Sequence, residues 1–480
     1  MKKYKIKGNK DKSILEILQE EGVKISADCG GRGTCGKCKI IIDNEEVLAC
    51  KTFTEKDIEI EIPEGSDLDT LRVEMLFEEG GDSKKTSETS ALARKQNEYS
   101  MAVDIGTTTV AAALTDGGSA IFASDGIANS QKIFGSDIIS RVGAASAGKL
   151  DAMKTLIRKD VEALKNRLAD KCGIAAEDIR RIVISANTVM EHIFMGYSCE
   201  GFEKAPYSAV TLEEIHEGEF ELLPCISPFV GADILSGIAV TEMDRQEEIT
   251  ALIDLGTNGE MALGNSEGIL VSSTAAGPVF EGGNISCGMS AMDSAINKVE
   301  IYGQRTFAKT IGDKKPLGIC AAGLIEAVYS MRKNGIINGN GILDDEWLED
   351  GFYLTDEIVL TQDDINSFLM AKSAIASGLE ILCSKRNIQI TGIKKIYIAG
   401  GLGAHINIDA ACGLGLIPKE LSDCCEQIGN SSLKGALMRC RGDLSKERAD
   451  KIKSLCTEIV LADEAEFGIN YIKNMSFDRI

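Results

Sequence analysis

Residues 100–114 read SMAVDIGTTTVAAAL, and residues 250–264 read TALIDLGTNGEMALG. Both run apolar strand, Asp, apolar residue, Gly, Thr, polar turn, apolar strand. Asp104 pairs with Asp254, Gly106 with Gly256 and Thr107 with Thr257. A strand that ends on a carboxylate and turns at once through glycine presents backbone N–H groups and hydroxyls to a phosphate. The carboxylates stand where they can hold Mg2+, through water because Mg2+ sheds its hydration reluctantly, and one of them can orient an attacking water. Asp104 and Asp254 are therefore the candidate catalytic residues. Gly106, Thr107, Thr108, Gly256, Thr257 and Asn258 are the candidate phosphate-binding turn residues. A single such hairpin is a common turn composition. Two with matching flanks predict two similar halves facing one another. The sequence holds no G-x-x-x-x-G-K-[ST] loop, so the nucleotide fold is of another kind.

A third element lies at 394–406, KKIYIAGGLGAHI, where a strand runs into Gly400, Gly401 and Gly403. Glycines after a strand allow a nucleotide to approach the backbone closely. After two phosphate hairpins, this element resembles the adenosine motif of the actin, hexokinase and Hsp70 superfamily, whose two halves close on ATP. The resemblance covers roughly residues 100–480. SSTAAGPVFEGGNISCGM at 272–289 is a small-residue stretch with two further candidate nucleotide contacts, Gly277 and the carboxylate of Glu281.

The N-terminal stretch carries different chemistry. KYKIKG reads as a strand, DKSILEILQEEGV as a helix capped by Asp11 or Ser13, KIIIDNEEVLAC as a hairpin turning near Asp43–Asn44, and IEIEIPEG as another strand. This order fits a compact β-grasp roll. Four of the 15 cysteines cluster here as Cys29-x5-Cys35-x2-Cys38, then eleven residues, then Cys50. Four thiolates hold a 2Fe–2S cluster, and plant-type ferredoxins use a close variant of this spacing. Glycines let the loop wrap the cluster and aim N–H groups at its sulfurs. The alternative is zinc, which commonly uses paired C-x2-C knuckles; a single knuckle joined to a C-x5 arm suits it poorly. The loop resembles that of the 2Fe–2S ferredoxins.

Composition sets the context. The chain has 480 residues, 44% hydrophobic and 26% charged, with a formal net charge of −22. Such a surface lacks the basic footprint of a nucleic-acid binder. The start, MKKYKIKGNKDKS, has no apolar core of a signal peptide, and no run of 18 apolar residues marks a membrane span. A cytoplasmic protein without membrane or nucleic-acid partners is expected, and reduced thiols there favour metal over disulfides. Residues 79–99, EGGDSKKTSETSALARKQNEY, are polar and charged. The expected division is a ferredoxin-type domain at 1–78, a flexible linker at 79–99 and an ATPase domain at 100–480, with halves 100–245 and 246–480. His192, His216 and His405 form no ligand pair by spacing, and Trp347 and Cys320 read as packing residues.

The motif set NSQKIFGSDIISR (129–141), NTVMEH (187–192), PFVGADI (228–234), TAAGPVFEG (274–282), GIC (318–320) and AGGLG (399–403), joined to the ferredoxin, resembles the reductive activators of corrinoid proteins. The resemblance implies ATP-dependent restoration of a Co(II) corrinoid to the methyl-accepting Co(I) state. Electrons would pass through the 2Fe–2S cluster, with ATP and Mg2+ bound by the second domain. It implies as partners a corrinoid protein of a methyltransferase system and a low-potential electron donor, and it allows a homodimer. Plant-type clusters lie near roughly −400 mV and the Co(II)/Co(I) couple lower, so ATP would drive the uphill step. Alternatives are an ATP-gated activator of another metalloenzyme and a redox-regulated small-molecule kinase. Relatives in that family carry an extra domain between ferredoxin and ATPase that this chain lacks, and Ala186 stands where their Gly–Asn–Thr pattern has glycine.

Overall fold

The computed structural model describes residues 2–21, 23, 25, 27, 31, 33, 36–63, 98–303, 305–402 and 405–478. Most of the expected linker, together with Cys29, Cys35 and Gly403, lies outside the described residues. Tyr99, its last residue, already opens a strand.

In the N-terminal domain, four antiparallel strands lie in the order Lys2–Ile6, Ile58–Ile62, Lys39–Ile42, Glu45–Leu48. Asp43 and Asn44 make the expected turn with φ of 51° and 67°, the left-handed pair that two-residue hairpins require. Of the two cap candidates, Ser13 serves. Its hydroxyl accepts from the Glu16 N–H, and the Glu16 carboxylate accepts from the Ser13 N–H at 2.7 Å, a reciprocal cap worth about 1 kcal/mol. The helix Ile14–Glu20 buries Ile14, Leu15, Ile17 and Leu18 against Ile6, Ile40, Ile60 and Ile62.

The remainder contains two six-stranded sheets with the same five-strand plan. In the first, Ala123–Ala128, Thr109–Thr115 and Tyr99–Ile105 are antiparallel neighbours, and Ile179–Ala186 and Phe220–Leu222 continue parallel to Tyr99–Ile105. In the second, Gly268–Thr274, Gly259–Asn265 and Thr250–Leu255 are antiparallel, and Lys395–Ala399 and Cys425–Gly429 continue in parallel. The repeated hairpins are therefore the central strands of two matching sheets, and both aspartates lie near the C-terminal ends of their first strands.

Between the sheets pack the helices Ala232–Val240 and Ser431–Arg441. Leu235 and Ile238 from one and Leu433 and Leu437 from the other share a core with Ala102, Val183, Leu252 and Tyr397 from the sheets. The helices approach so closely that a Cβ on Gly435 would lie 2.2 Å from the Ser236 Cβ. The helix Gln362–Arg386 is long and apolar enough to cross a membrane by length and composition, but 78% of its apolar window is buried inside the fold. Overpacking a close contact costs roughly 1–3 kcal/mol. Gly435→Ala should lower the thermal transition of these halves by several degrees, and Ser236→Gly in the same chain should recover part of the loss, as calorimetry would show.

Candidate functional site

Two of the four loop cysteines, Cys38 and Cys50, lie among the described residues. The Ala49 N–H donates to the Cys38 carbonyl at 2.8 Å, which brings the backbone next to Cys50 against that of Cys38. Cys38 is buried at the foot of the loop and Cys50 is partly open. Gly31, Gly33 and Gly36 all have φ near +67° to +89°, backbone that side-chain-bearing residues rarely adopt. Left-handed glycines ahead of Cys38, with Cys50 on the adjoining backbone, fit a sulfur-ligated cluster. Cysteines among the described residues are free thiols.

The first hairpin is anchored by its carbonyls. Asn129 donates through Nδ2 to the Gly106 carbonyl and through its N–H to the Thr108 carbonyl, both at 2.9 Å. Arg141, fully buried, donates to the Thr107 carbonyl. In a trans peptide the N–H points opposite the carbonyl. With these three carbonyls tied back, the N–H groups of Thr107, Thr108 and Thr109 are presented on the other side, as an anion cradle requires. Arg141 is held in turn by the Gln131 side chain at 3.2 Å and the Gly135 carbonyl at 3.1 Å.

Asp104 is held from the opposite half. Asn430 donates to its Oδ2 at 2.7 Å and Ser432 to its Oδ1 at 2.8 Å. Asn430 also caps the helix Ser431–Arg441 by accepting the Leu433 N–H at 2.8 Å. On the second hairpin, Thr257 donates its hydroxyl to Glu281, which ends a short turn of helix begun after Gly277. Gly400 has φ of +91°, and a Cβ there would lie 2.7 Å from Asp254 Oδ1. Only glycine lets the strand Lys395–Ala399 turn so near that carboxylate. A Cβ on Gly401 would meet open space.

Carboxylates crowd this cleft. Burial pushes Asp254 up to about 8, with Asp233, Asp104 and Glu281 adding repulsion. Burial likewise raises Asp104 to about 6 against the hydrogen bonds from Ser432 and Asn430, and raises Asp233 to about 6. Glu260, opposite Asp254 in the strand pair, is pushed well up by burial and by Asp233 and Asp254. Burial lowers Arg141 to about 10 while Asp137, Glu281 and Asp160 oppose the shift, so Glu281 of the second half is felt by a cation of the first. A site that holds several carboxyls and leaves them short of countercharge fits a divalent cation with a polyphosphate.

Comparison with known proteins gives this arrangement a family. A model described as the RACo middle region matches residues 99–246, and one described as the C-terminal domain of RACo, the ASKHA domain, matches 248–479. A 2Fe–2S iron–sulfur cluster binding domain matches 2–63. A solved reductive activator for corrinoid, iron–sulfur protein superposes with a TM-score of 0.74 at 26% identity, over 98% of this chain and 96% of that one. The chain belongs to the reductive activators of corrinoid proteins. The corrinoid activation enzyme RamQ of Eubacterium limosum is 26% identical over 97% of this chain and 96% of its own length. That alignment runs to 573 positions, more than the 480 residues here, so RamQ carries insertions that this activator does not. The Co(II) methylated amine-specific corrinoid protein reductase of Methanosarcina barkeri is 30% identical over about half of each chain (53% and 51%).

Within this activator the structure groups Asp104, Asp254, Gly256, Thr257, Glu281 and Gly400 around one cleft, with Gly106, Thr107 and Thr108 on the facing hairpin. Four partners were not singled out from sequence. Asp233 sits in the first turn of a helix inside the motif PFVGADI, where an acidic residue reads as ordinary helix-end chemistry. Glu260 was visible as the one charged residue of an otherwise apolar strand. Asn430 and Ser432 carry no local signal that ties them to Asp104. The discounted residues are structural: His192 is bonded to the Thr188 carbonyl and the Val210 N–H, burial raises the Cys320 thiol, and Trp347 packs edge-on to Phe352.

A carboxyl whose pKa is raised by folding stabilises the folded chain below its unfolded value and loses that contribution as pH rises through the folded value. For Asp254 the window runs from about 4 to about 8. The nucleotide-free activator should therefore lose thermal stability progressively from about pH 4 to about pH 8. Asp254→Asn should flatten that slope in a melting series across the range, and an unchanged slope would remove Asp254 from the explanation.

Proposed function

We propose that this chain uses ATP to drive the reduction of a Co(II) corrinoid protein to the Co(I) state. The observation that carries this reading is the presence, on one chain, of an iron–sulfur domain and of two matching hairpins, one from each half, beside a cluster of buried carboxyls. The near full-length likeness to proteins named for corrinoid activation supports the substrate class.

Cys38 and Cys50, with Cys29 and Cys35, would hold the 2Fe–2S cluster, which supplies one-electron transfer at low potential. The N–H groups of the first hairpin and the hydroxyl and amide groups of Thr257 and Asn258 would take the phosphates of ATP. Gly400, Gly401 and Gly403 would admit the adenosine, and Gly277 would allow the backbone carrying Glu281 to turn into the cleft. Asp254, beside Asp233 and Glu281, would hold Mg2+ through water. Asp104, which accepts one hydrogen bond on each oxygen from Asn430 and Ser432 of the second half, would join the halves. We place the ferredoxin-type domain at 1–78, the start of the ATPase domain at the strand that opens at Tyr99, and the protein in the cytoplasm, in keeping with the free thiols among the described residues. A low-potential donor would reload the cluster.

ATP helps only if it binds two states of the protein unequally. Closure of the halves on nucleotide provides such a difference. In an anaerobic optical titration with reductant and a Co(II) corrinoid protein, the Co(I) band should appear only with MgATP. Asp254→Ala should remove the ATP dependence and Cys38→Ser the electron delivery, each lowering the rate at least about a hundredfold, or roughly 2.7 kcal/mol in barrier. Full activity in either variant would sink the role given to that residue.

A further inference from the structure

The N-terminal domain touches both halves of the cleft, and each contact lands on a segment bonded directly to one phosphate hairpin. On the first half, Gln19 donates through Nε2 to the Ile133 carbonyl at 2.5 Å. Ile133 belongs to the turn of helix Ser130–Phe134. The cap of that turn, Asn129, holds the Gly106 carbonyl, and its Gln131 holds Arg141, which holds Thr107. The apolar cores of the N-terminal domain and the first half also run into one continuous cluster.

On the second half, Lys37, next to the cluster ligand Cys38, reaches the Gly288 carbonyl at 3.4 Å. Lys37 also acts against the burial and the Asp364 charge that push the neighbouring Cys287 thiol up to about 12. Gly288 is packed onto Gly282: a Cβ at 288 would lie 2.3 Å from the Gly282 carbonyl oxygen. Gly282 directly follows Glu281, which accepts the Thr257 hydroxyl. Ser286 ties the same loop to Asp364 at 2.7 and 2.6 Å, so the segment is braced and transmits displacement.

We propose that the ferredoxin domain straddles the nucleotide cleft through Gln19 and Lys37, and that closure of the halves breaks this bridge and frees the cluster to meet its corrinoid partner. The two footholds stand on different halves. A rigid domain bonded to both keeps both only at one cleft width. By linkage, whatever factor nucleotide applies to docking of the domain, docking applies to nucleotide affinity. The inference rests on the reading of the cleft as a nucleotide site.

Hydrogen exchange on the cluster-loaded full chain, with and without a non-hydrolysable ATP analogue and Mg2+, tests it. In the wild type, the analogue should protect the hairpins 104–109 and 254–259 and should speed exchange several-fold over 14–20 and 36–42. In the Gln19→Ala, Lys37→Ala double variant, the N-terminal segments should exchange fast without nucleotide and ignore it, while the hairpins respond as before. Lys37→Arg alone, which keeps the donor, should retain the nucleotide response, and the visible spectrum of the cluster reports that each variant is folded. Protected hairpins with unaltered exchange in the N-terminal domain would overturn the bridge and leave the nucleotide site standing. Hairpins that ignore the analogue would overturn the nucleotide site and the bridge with it.

Discussion

Asp104 belongs to the first half of the chain, but the groups that hold its carboxylate, Asn430 and Ser432, belong to the second. The floor of the cleft is therefore shared. Beneath it the helices Ala232–Val240 and Ser431–Arg441 lie nearly in backbone contact at Ser236 and Gly435. Above it, Asp233, Asp254 and Glu260 face one another without a basic side chain hydrogen-bonded to them in the described structure. Two like charges 4 Å apart repel by about 4 kcal/mol at an effective dielectric of 20. Burial first, and that repulsion after it, raise these carboxyls, and proton uptake relieves both. A divalent cation carrying phosphates would relieve the repulsion too, and in doing so would draw the two hairpins towards a common ligand.

That constraint connects the two chemistries of the chain. An electron-transfer domain needs a defined distance to its partner, and a nucleotide cleft offers two widths. The segments that touch the N-terminal domain, at Ile133 and Gly288, are the ones that brace the hairpins. A change in cleft width is thus delivered to the cysteine loop through backbone packing and two polar contacts, without a long chain of intermediates.

Much of this was legible in the residues. The Asp–x–Gly–Thr repeat predicted two matching halves because a strand that ends in a carboxylate and turns through glycine leaves few alternatives, and the two sheets do share one plan. The order of strand, helix, hairpin about Asp43–Asn44 and strand predicted the N-terminal roll for the same local reasons. What the sequence hid was non-local. Nothing near Asn430 announces that it caps a helix with one end of its side chain and holds Asp104 with the other. Asp233 lies in the motif PFVGADI at the start of a helix, where acidic residues are common, so nothing local sets it apart. Arg141 lay in another quoted motif, yet its burial behind Thr107 follows only from the packing of the sheet against its helices.

If burial leaves carboxyls of the nucleotide-free cleft protonated, a metal-bound polyphosphate should displace those protons. Calorimetric titration of MgATP, or of a non-hydrolysable analogue, at pH 7 in buffers of different ionisation enthalpy counts the protons released on binding. Net release is expected, shrinking in Asp254→Asn and shrinking again well above pH 8. Binding with no proton release, or with uptake, would contradict the account.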